Sequence, residues 1–257
     1  MRFGLVVTCV GFAMAILAGC TESTSGIKPV PAPSTSPVEL PLTAGAPAPT
    51  SIPPTSQLPP PPPVTVTPDK IESILASRTD VGAVLGTTLG YEYIDSDPPT
   101  STVTGAPDCT HLHNPKAADL GSDWTTYRRN YYRETKDETS YIVGQVAVLF
   151  PSAKDVAGAF TGIFPPSAKS ACANARIGAD DQQWVISDIR QIDQSAAKWT
   201  TTQLQDGQEG PPGSRWSCFY DFRHRNNALF GAYLCQYGDG IPGVTTIVDR
   251  IAAWIPE

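Results

Sequence analysis

The alternation of apolar and polar positions is strongest between residues 216 and 237. Trp216, Cys218, Tyr220 and Phe222 recur at every second position, and a second run of strand-forming residues, 229–237, follows directly after Asn226 and Asn227. This pattern predicts a β-hairpin, with the two asparagines in the left-handed positions of a two-residue turn. With the turn centred there, Cys218 falls opposite Cys235, Tyr220 opposite Tyr233 and Trp216 opposite Tyr237, all on one face. Counting from the closing pair Arg225 and Ala228, Cys218 and Cys235 form a non-hydrogen-bonded pair. In such a pair the Cα atoms approach to about 4.5 Å and a disulfide can span them.

The same period of two marks a strand at 91–94, two longer strands at 124–134 and 141–150 around a polar turn, and a second hairpin from 184–192 and 198–205. Helical spacing appears in three places. Thr67 can cap a helix that opens on Pro68 and buries Ile71, Ile74 and Leu75, and residues 79–85 can add a short second helix. Ser152-Ala153-Lys154-Asp155 reads as a capping box for a helix with Val156, Ala159, Phe160 and Ile163 inward, closed by Pro165 and Pro166. Val244, Ile247, Val248, Ile251 and Ile255 form the apolar stripe of a terminal helix. Residues 95–123, which hold Cys109, His111 and His113, favour loop. Hairpins between neighbouring strands, with helices at the start, middle and end, predict an α+β domain: a single antiparallel sheet packed with helices.

Composition divides the chain before that domain begins. Met1 and Arg2 precede an apolar run that ends in Leu17-Ala18-Gly19-Cys20, the pattern of a lipoprotein signal peptide over residues 1–19 with lipidation of Cys20. The run is shorter than the roughly 20 residues of a spanning helix. Between Pro29 and Pro68 lie 15 of the 26 prolines, interleaved with Ser, Thr, Ala and Val. Residues 20–66 therefore read as an extended stalk, reaching at about 3.1 Å per residue over its proline-rich part, and its Ser and Thr suit O-glycosylation. The globular part is 67–257. This order predicts a lipid-anchored protein on the extracytoplasmic face of the cell membrane, held there through Cys20.

Of six cysteines, Cys9 would leave with the signal and Cys20 would carry lipid, so four remain in an exported and hence oxidising setting. With Cys218 and Cys235 paired by the hairpin, Cys109 and Cys172 are left for each other. Four cysteines allow three pairings, and only the turn geometry favours this one. No Cys-x-x-Cys spacing supports a zinc site. The formal net charge of −7 argues against a nucleic-acid partner, whose phosphates call for a clustered positive face.

No Gly-x-Ser-x-Gly motif is present, and the three histidines are His111, His113 and His224. His224, beside the hairpin turn, reads as solvent-facing. His111 and His113, if extended, could point the same way as a weak metal site near Asp108, but a third placed ligand is lacking. We therefore expect no catalytic residues, no metal and no cofactor. The strand at 124–134 is the most suggestive constellation. One face carries Tyr127, Arg129, Tyr131 and Arg133, and the other Trp124, Arg128, Asn130 and Tyr132. In a cleft, Tyr127, Arg129, Tyr131 and Arg133 could grip an anionic or glycan-like ligand by stacking and bidentate hydrogen bonds. On an open sheet face they would be strand formers with solvated charges.

Gln145-Val146-Ala147-Val148-Leu149-Phe150-Pro151-Ser152-Ala153-Lys154, then Ala171-Cys172-Ala173-Asn174, Trp216-Ser217-Cys218, Cys235 and Ile251-Ala252-Ala253-Trp254-Ile255-Pro256 together resemble the PknH-like extracellular sensor domain. That domain is the outer part of a receptor serine/threonine kinase and also occurs on lipoproteins without a kinase. The resemblance implies an antiparallel sheet with helices, disulfides joining Cys109 to Cys172 and Cys218 to Cys235, and a large central cleft for an unidentified small-molecule or envelope ligand. The chain lacks the kinase's Gly-rich loop, His-Arg-Asp and Asp-Phe-Gly motifs. The resulting expectation is a non-catalytic ligand-binding or sensor-like lipoprotein of the cell envelope, acting either through an envelope protein partner or by delivering what it binds. A structural or protein-interaction lipoprotein is the alternative, and an envelope hydrolase a more distant one.

Overall fold

A computed structural model describes residues 64–137, 139–179 and 181–257. The signal segment, Cys20 and the proline-rich stretch to residue 63 lie outside the described residues, and so does the lipidation expected there. In chain order the elements are α1 (Ile71–Ile74), α2 (Arg78–Leu85), β1 (Tyr91–Asp95), β2 (Thr104–Gly105), α3 (Ala117–Leu120), β3 (Thr126–Arg133), β4 (Tyr141–Leu149), α4 (Ala153–Ile163), α5 (Ala168–Ala171), β5 (Arg176–Ala179), β6 (Gln182–Ile192), β7 (Ala196–Gln205), β8 (Gln208–Glu209), β9 (Trp216–Arg225), β10 (Ala228–Tyr237) and α6 (Ile241–Ala253). Short 3-10 turns precede α1 at Pro68–Lys70 and follow β2 at Pro107–Leu112. Among the described residues no helix is long and apolar enough to cross a membrane.

The strands form one antiparallel sheet in the order β1-β3-β4-β10-β9-β7-β6-β5-β2, with β8 pairing beside β7. The β9–β10 hairpin holds the register read from its turn: Cys218 opposite Cys235, Tyr220 opposite Tyr233, Trp216 opposite Tyr237. One detail of the turn differs. Only Asn226 is left-handed, at φ 53°. Asn227 is buried, and its amide accepts from the Val66 N–H and donates to the Val66 and Phe150 carbonyls at 2.9–3.1 Å. A buried amide that bridges three chain segments needs all its partners, because an unmet polar group would cost about 1–3 kcal/mol.

Opposed residues in a sheet share a face, so the registers divide the side chains into two cores. On one face Val143, Ala147, Leu149, Phe230 and Leu234 pack under α1, α2 and α6, whose Val244, Ile247, Val248 and Ile251 are fully buried. Gly243 brings α6 close: a Cβ there would stand 2.9 Å from Leu234 Cδ2. On this face Gln145, also buried, closes the α1–α2 link by accepting from the Ala76 N–H at 2.9 Å and donating to the Ala76 carbonyl at 2.8 Å. On the other face Tyr127, Val148, Trp199, Tyr220 and Phe222 pack against α4 through Val156, Phe160 and Ile163, with Phe164 just beyond its end. Ser152 caps α4, accepting from the Asp155 N–H at 3.2 Å and donating to its carboxylate at 2.6 Å.

Both disulfides brace this second face. Cys109 joins Cys172, tying the 3-10 turn after β2 to the end of α5, with Cα atoms 5.5 Å apart. Cys218 joins Cys235 across the hairpin at a Cα distance of 3.9 Å. Several local features were not foreseen. The 95–123 stretch contains β2, a 3-10 turn and α3 instead of plain loop. Strands β6 and β7 are offset twice, around Ser187 and Arg190, and such bulges carry no period-two signal. Trp124 precedes β3 and packs on Tyr127, at 6.4 Å between ring centroids, so it does not share the Arg128 face.

Candidate ligand-binding cleft

On the α4 side of the sheet a row of aromatic residues crosses six strands. Register aligns Tyr93 on β1, Tyr131 on β3, Gly144 on β4, Tyr233 on β10, Tyr220 on β9 and Trp199 on β7. The row is continuous because Gly144 has no side chain. A Cβ there would stand 2.2 Å from the Tyr233 ring, so the glycine is the hollow into which that ring lies. At the β7 end the row is closed: Trp199 stacks on Tyr220 at 4.6 Å and 6°, and Phe164 covers it at 5.4 Å. Its indole N–H donates to the Leu112 carbonyl. Toward β1 the helical cover stops, and a cleft of about 460 Å³ opens, within the range of small-molecule sites.

The floor of the cleft is Tyr220, Tyr233 and the Cys218–Cys235 disulfide. One wall is Tyr91, Tyr93, Arg129, Tyr131 and Arg133 with Lys136 beyond. Facing it stand His113, Asn114, Trp184 and Trp216. Of the four β3 residues named from sequence, Arg129, Tyr131 and Arg133 line this cleft. Tyr127 does not; opposite Val148 and against Trp124, it is 3 % exposed and part of the core. The opposite β3 face is structural. Arg128 donates to Glu72 at 2.9 Å and to Asn130 at 3.2 Å, and Tyr132 donates to the Ala76 carbonyl at 3.3 Å.

Electrostatics set the cleft apart from a protein of net charge −7. Arg129, Arg133 and Lys136 line it, and among the described residues no Asp or Glu does. Arg129 pairs with Asp95; Arg133 and Lys136 make no ion pair among the described residues. Arg133 is nonetheless held in place. Its guanidinium lies 5.0 Å from the Tyr131 ring centre, Nε donates to the Tyr131 hydroxyl, and Nη1 donates to the Lys136 carbonyl at 3.4 Å. Burial pushes the Tyr131, Tyr220 and Tyr233 hydroxyls above the ordinary phenol range, so they remain neutral.

The histidines are placed apart. Two positions along a 3-10 turn point away from each other, and His111 sits edge-on to Phe164 at 6.2 Å while His113 tilts over Trp184 at 5.6 Å. The paired His-x-His arrangement therefore does not form, and no cluster of three metal-ligating side chains exists among the described residues. His224, read as solvent-facing, is half-buried: it packs on Phe160 at 5.0 Å, and its Nε2 lies 2.7 Å from the Gln194 carbonyl. Parity along the hairpin already put Tyr220, Tyr233 and Trp216 on the disulfide face. Trp184, His113 and Asn114 carried no such signal, because they arrive from segments that reach the cleft only through tertiary folding.

The family description "PknH-like extracellular domain" matches residues 66–254. Among solved structures, the extracellular domain of PknH from Mycobacterium tuberculosis is similar, with a TM-score of 0.62 and 20% sequence identity. That alignment covers 74% of this chain and 98% of the other. No curated protein matches the chain.

Proposed function

The chain belongs to the family of PknH-like extracellular domains, and from that premise we propose that it is a non-catalytic, sensor-type binding protein of the cell envelope. It takes a small molecule in the cleft beside β3 and is tethered by lipid on Cys20 at the end of a proline-rich stalk. The observation that carries the binding role is the cleft itself. It has a volume of about 460 Å³, an aromatic floor braced by a disulfide, and orienting cations on one wall. Such pockets, apolar with a few placed polar groups, are where small molecules bind. The tether is supported by the Leu17-Ala18-Gly19-Cys20 pattern behind an apolar run.

The test is native mass spectrometry of the full chain after exposure to envelope extract. A discrete adduct that disappears in a Tyr131→Ala, Trp184→Ala double variant supports the reading. Repeated absence of any adduct, together with crosslinks to an envelope protein, would replace it with a protein-interaction role. For the tether, Cys20→Ser should abolish metabolic labelling by a fatty acid and release the protein from membranes.

A further inference from the structure

Two features of the cleft remain unexplained by a merely apolar pocket. The first is charge without a counter-charge. Three cations line the recess and, among the described residues, no carboxylate does; Asp95 answers Arg129 and leaves Arg133 and Lys136 without an ion pair among those residues. A recess with low-dielectric walls concentrates such a field, whereas on an open surface it would be screened by water and salt. Arg133 is also pre-set by Tyr131 and the Lys136 carbonyl, and a pre-organised guanidinium loses less freedom on binding an oxyanion. The second feature is a pair of buried donors without acceptors. Trp184 is 8 % exposed and its Nε1 has no partner among the described residues; the Arg129 Nε is likewise buried and unmatched there. Each is a closed-off donor on a cleft-lining residue that meets no oxygen among the described residues, so it senses any change in the cleft beside it, and such groups in native proteins call for an explanation.

We infer that the cleft is built for a molecule bearing a phosphate or carboxylate on a flat ring, with the oxyanion toward Arg133, Lys136 and Arg129 and the ring among the tyrosines. This rests on the binding role proposed above. Charge-assisted, bidentate contacts from guanidinium favour these anions over neutral polar groups. The flat faces of Tyr93, Tyr131 and Tyr233 supply area for a ring at little cost in side-chain freedom.

The experiment is side-chain NMR of the full chain, following arginine Nε–H and tryptophan indole signals. Inorganic phosphate, acetate, phenyl phosphate, glucose 6-phosphate and glucose are titrated at constant ionic strength. Phosphate or acetate at about 10 mM should move the Trp184 and Arg129 signals, and whichever acts more strongly identifies the preferred oxyanion. Phenyl phosphate should bind about tenfold more tightly than phosphate, since one stacked aromatic ring is worth roughly a factor of ten. Arg133→Gln and Lys136→Gln, with backbone spectra otherwise unchanged, should each weaken binding about tenfold. Three results would overturn the inference: no movement with either anion, glucose binding as well as its phosphate, or both variants binding like the parent. A neutral adduct from envelope extract that fills the cleft would leave the binding role standing while removing the anion. Anion binding with no envelope adduct would do the reverse.

Discussion

On one face of strands β3, β4, β10 and β9 stand Val143, Ala147, Leu149, Phe230 and Leu234, closed under α6; on the other stand Arg129, Tyr131, Tyr233, Tyr220 and Cys218. The same backbone ladder carries both sets, since side chains alternate along each strand. The helix-covered face is mainly aliphatic, with Phe230, Phe219 and Tyr132 among its side chains, and is free of disulfides. The cleft face is aromatic and cationic, covered by α4 over part of β9 and β10, and holds both disulfides. A face that is left partly open loses the burial that stabilises its partner. Here covalent links and large rings hold the shape that packing holds on the other side.

This contrast can be broken from either side, and the largest effect should come from the long disulfide. Replacing Cys109 and Cys172 together by Ser frees a 63-residue separation and should cost about 4 kcal/mol in the chain-entropy account, read as a lowered midpoint in urea. Leu234→Ala, on the face held by packing, should cost about 3 kcal/mol through the cavity left under α6. It should leave the cleft signals of the folded fraction unchanged; a changed cleft spectrum would mean that the two faces are not independent. Gly144→Ala should cost about 1–3 kcal/mol, since the Tyr233 ring must move from its hollow. Unlike Leu234→Ala, it should alter small-molecule binding more than stability alone accounts for.

The smallest effect is a pH dependence. Burial, partly offset by Asp119 and Asp108, holds the His111 imidazole below its ordinary range in the folded protein. The unfolded chain therefore takes up a proton first as pH falls, and stability is lost below about pH 6.5, down through the lower folded value. His111→Phe should flatten the fall in melting temperature between about pH 7.5 and about pH 5.5. If parent and variant track each other across that window, His111 is not the acid-sensitive group behind the cleft-face core.

The hairpin shows how much was legible. A two-residue turn at Asn226 and Asn227 sets the opposed pairs 218–235, 220–233 and 216–237, and the observed register is the same. Period two on β3 likewise put Arg129, Tyr131 and Arg133 on one face. It could not tell that Tyr127, on that same face, would be sealed by Trp124 and the core, because parity names a face and not its cover. Asn227 and Gln145 read as turn and strand residues, yet each satisfies backbone groups far away in sequence. The bulges at Ser187 and Arg190, and the arrival of Trp184 and His113 at the cleft, had no local signature.

By itself the sequence determined what depends on near neighbours: the α+β order of elements, the amphipathic stripe of α6, the cap of α4 and the Cys218–Cys235 pair. These follow from side-chain period and turn closure over a few residues. Only the tertiary structure decided that the β9–β10 hairpin inserts between β4 and β7, that α6 seals one face, and that α4 stops short on the other. Pairing between strands distant in sequence is chosen by collective burial, in which many partners compete and no short segment holds the answer. The cleft exists because that choice brings Gly144 beside Tyr233 and Trp184 opposite Arg133.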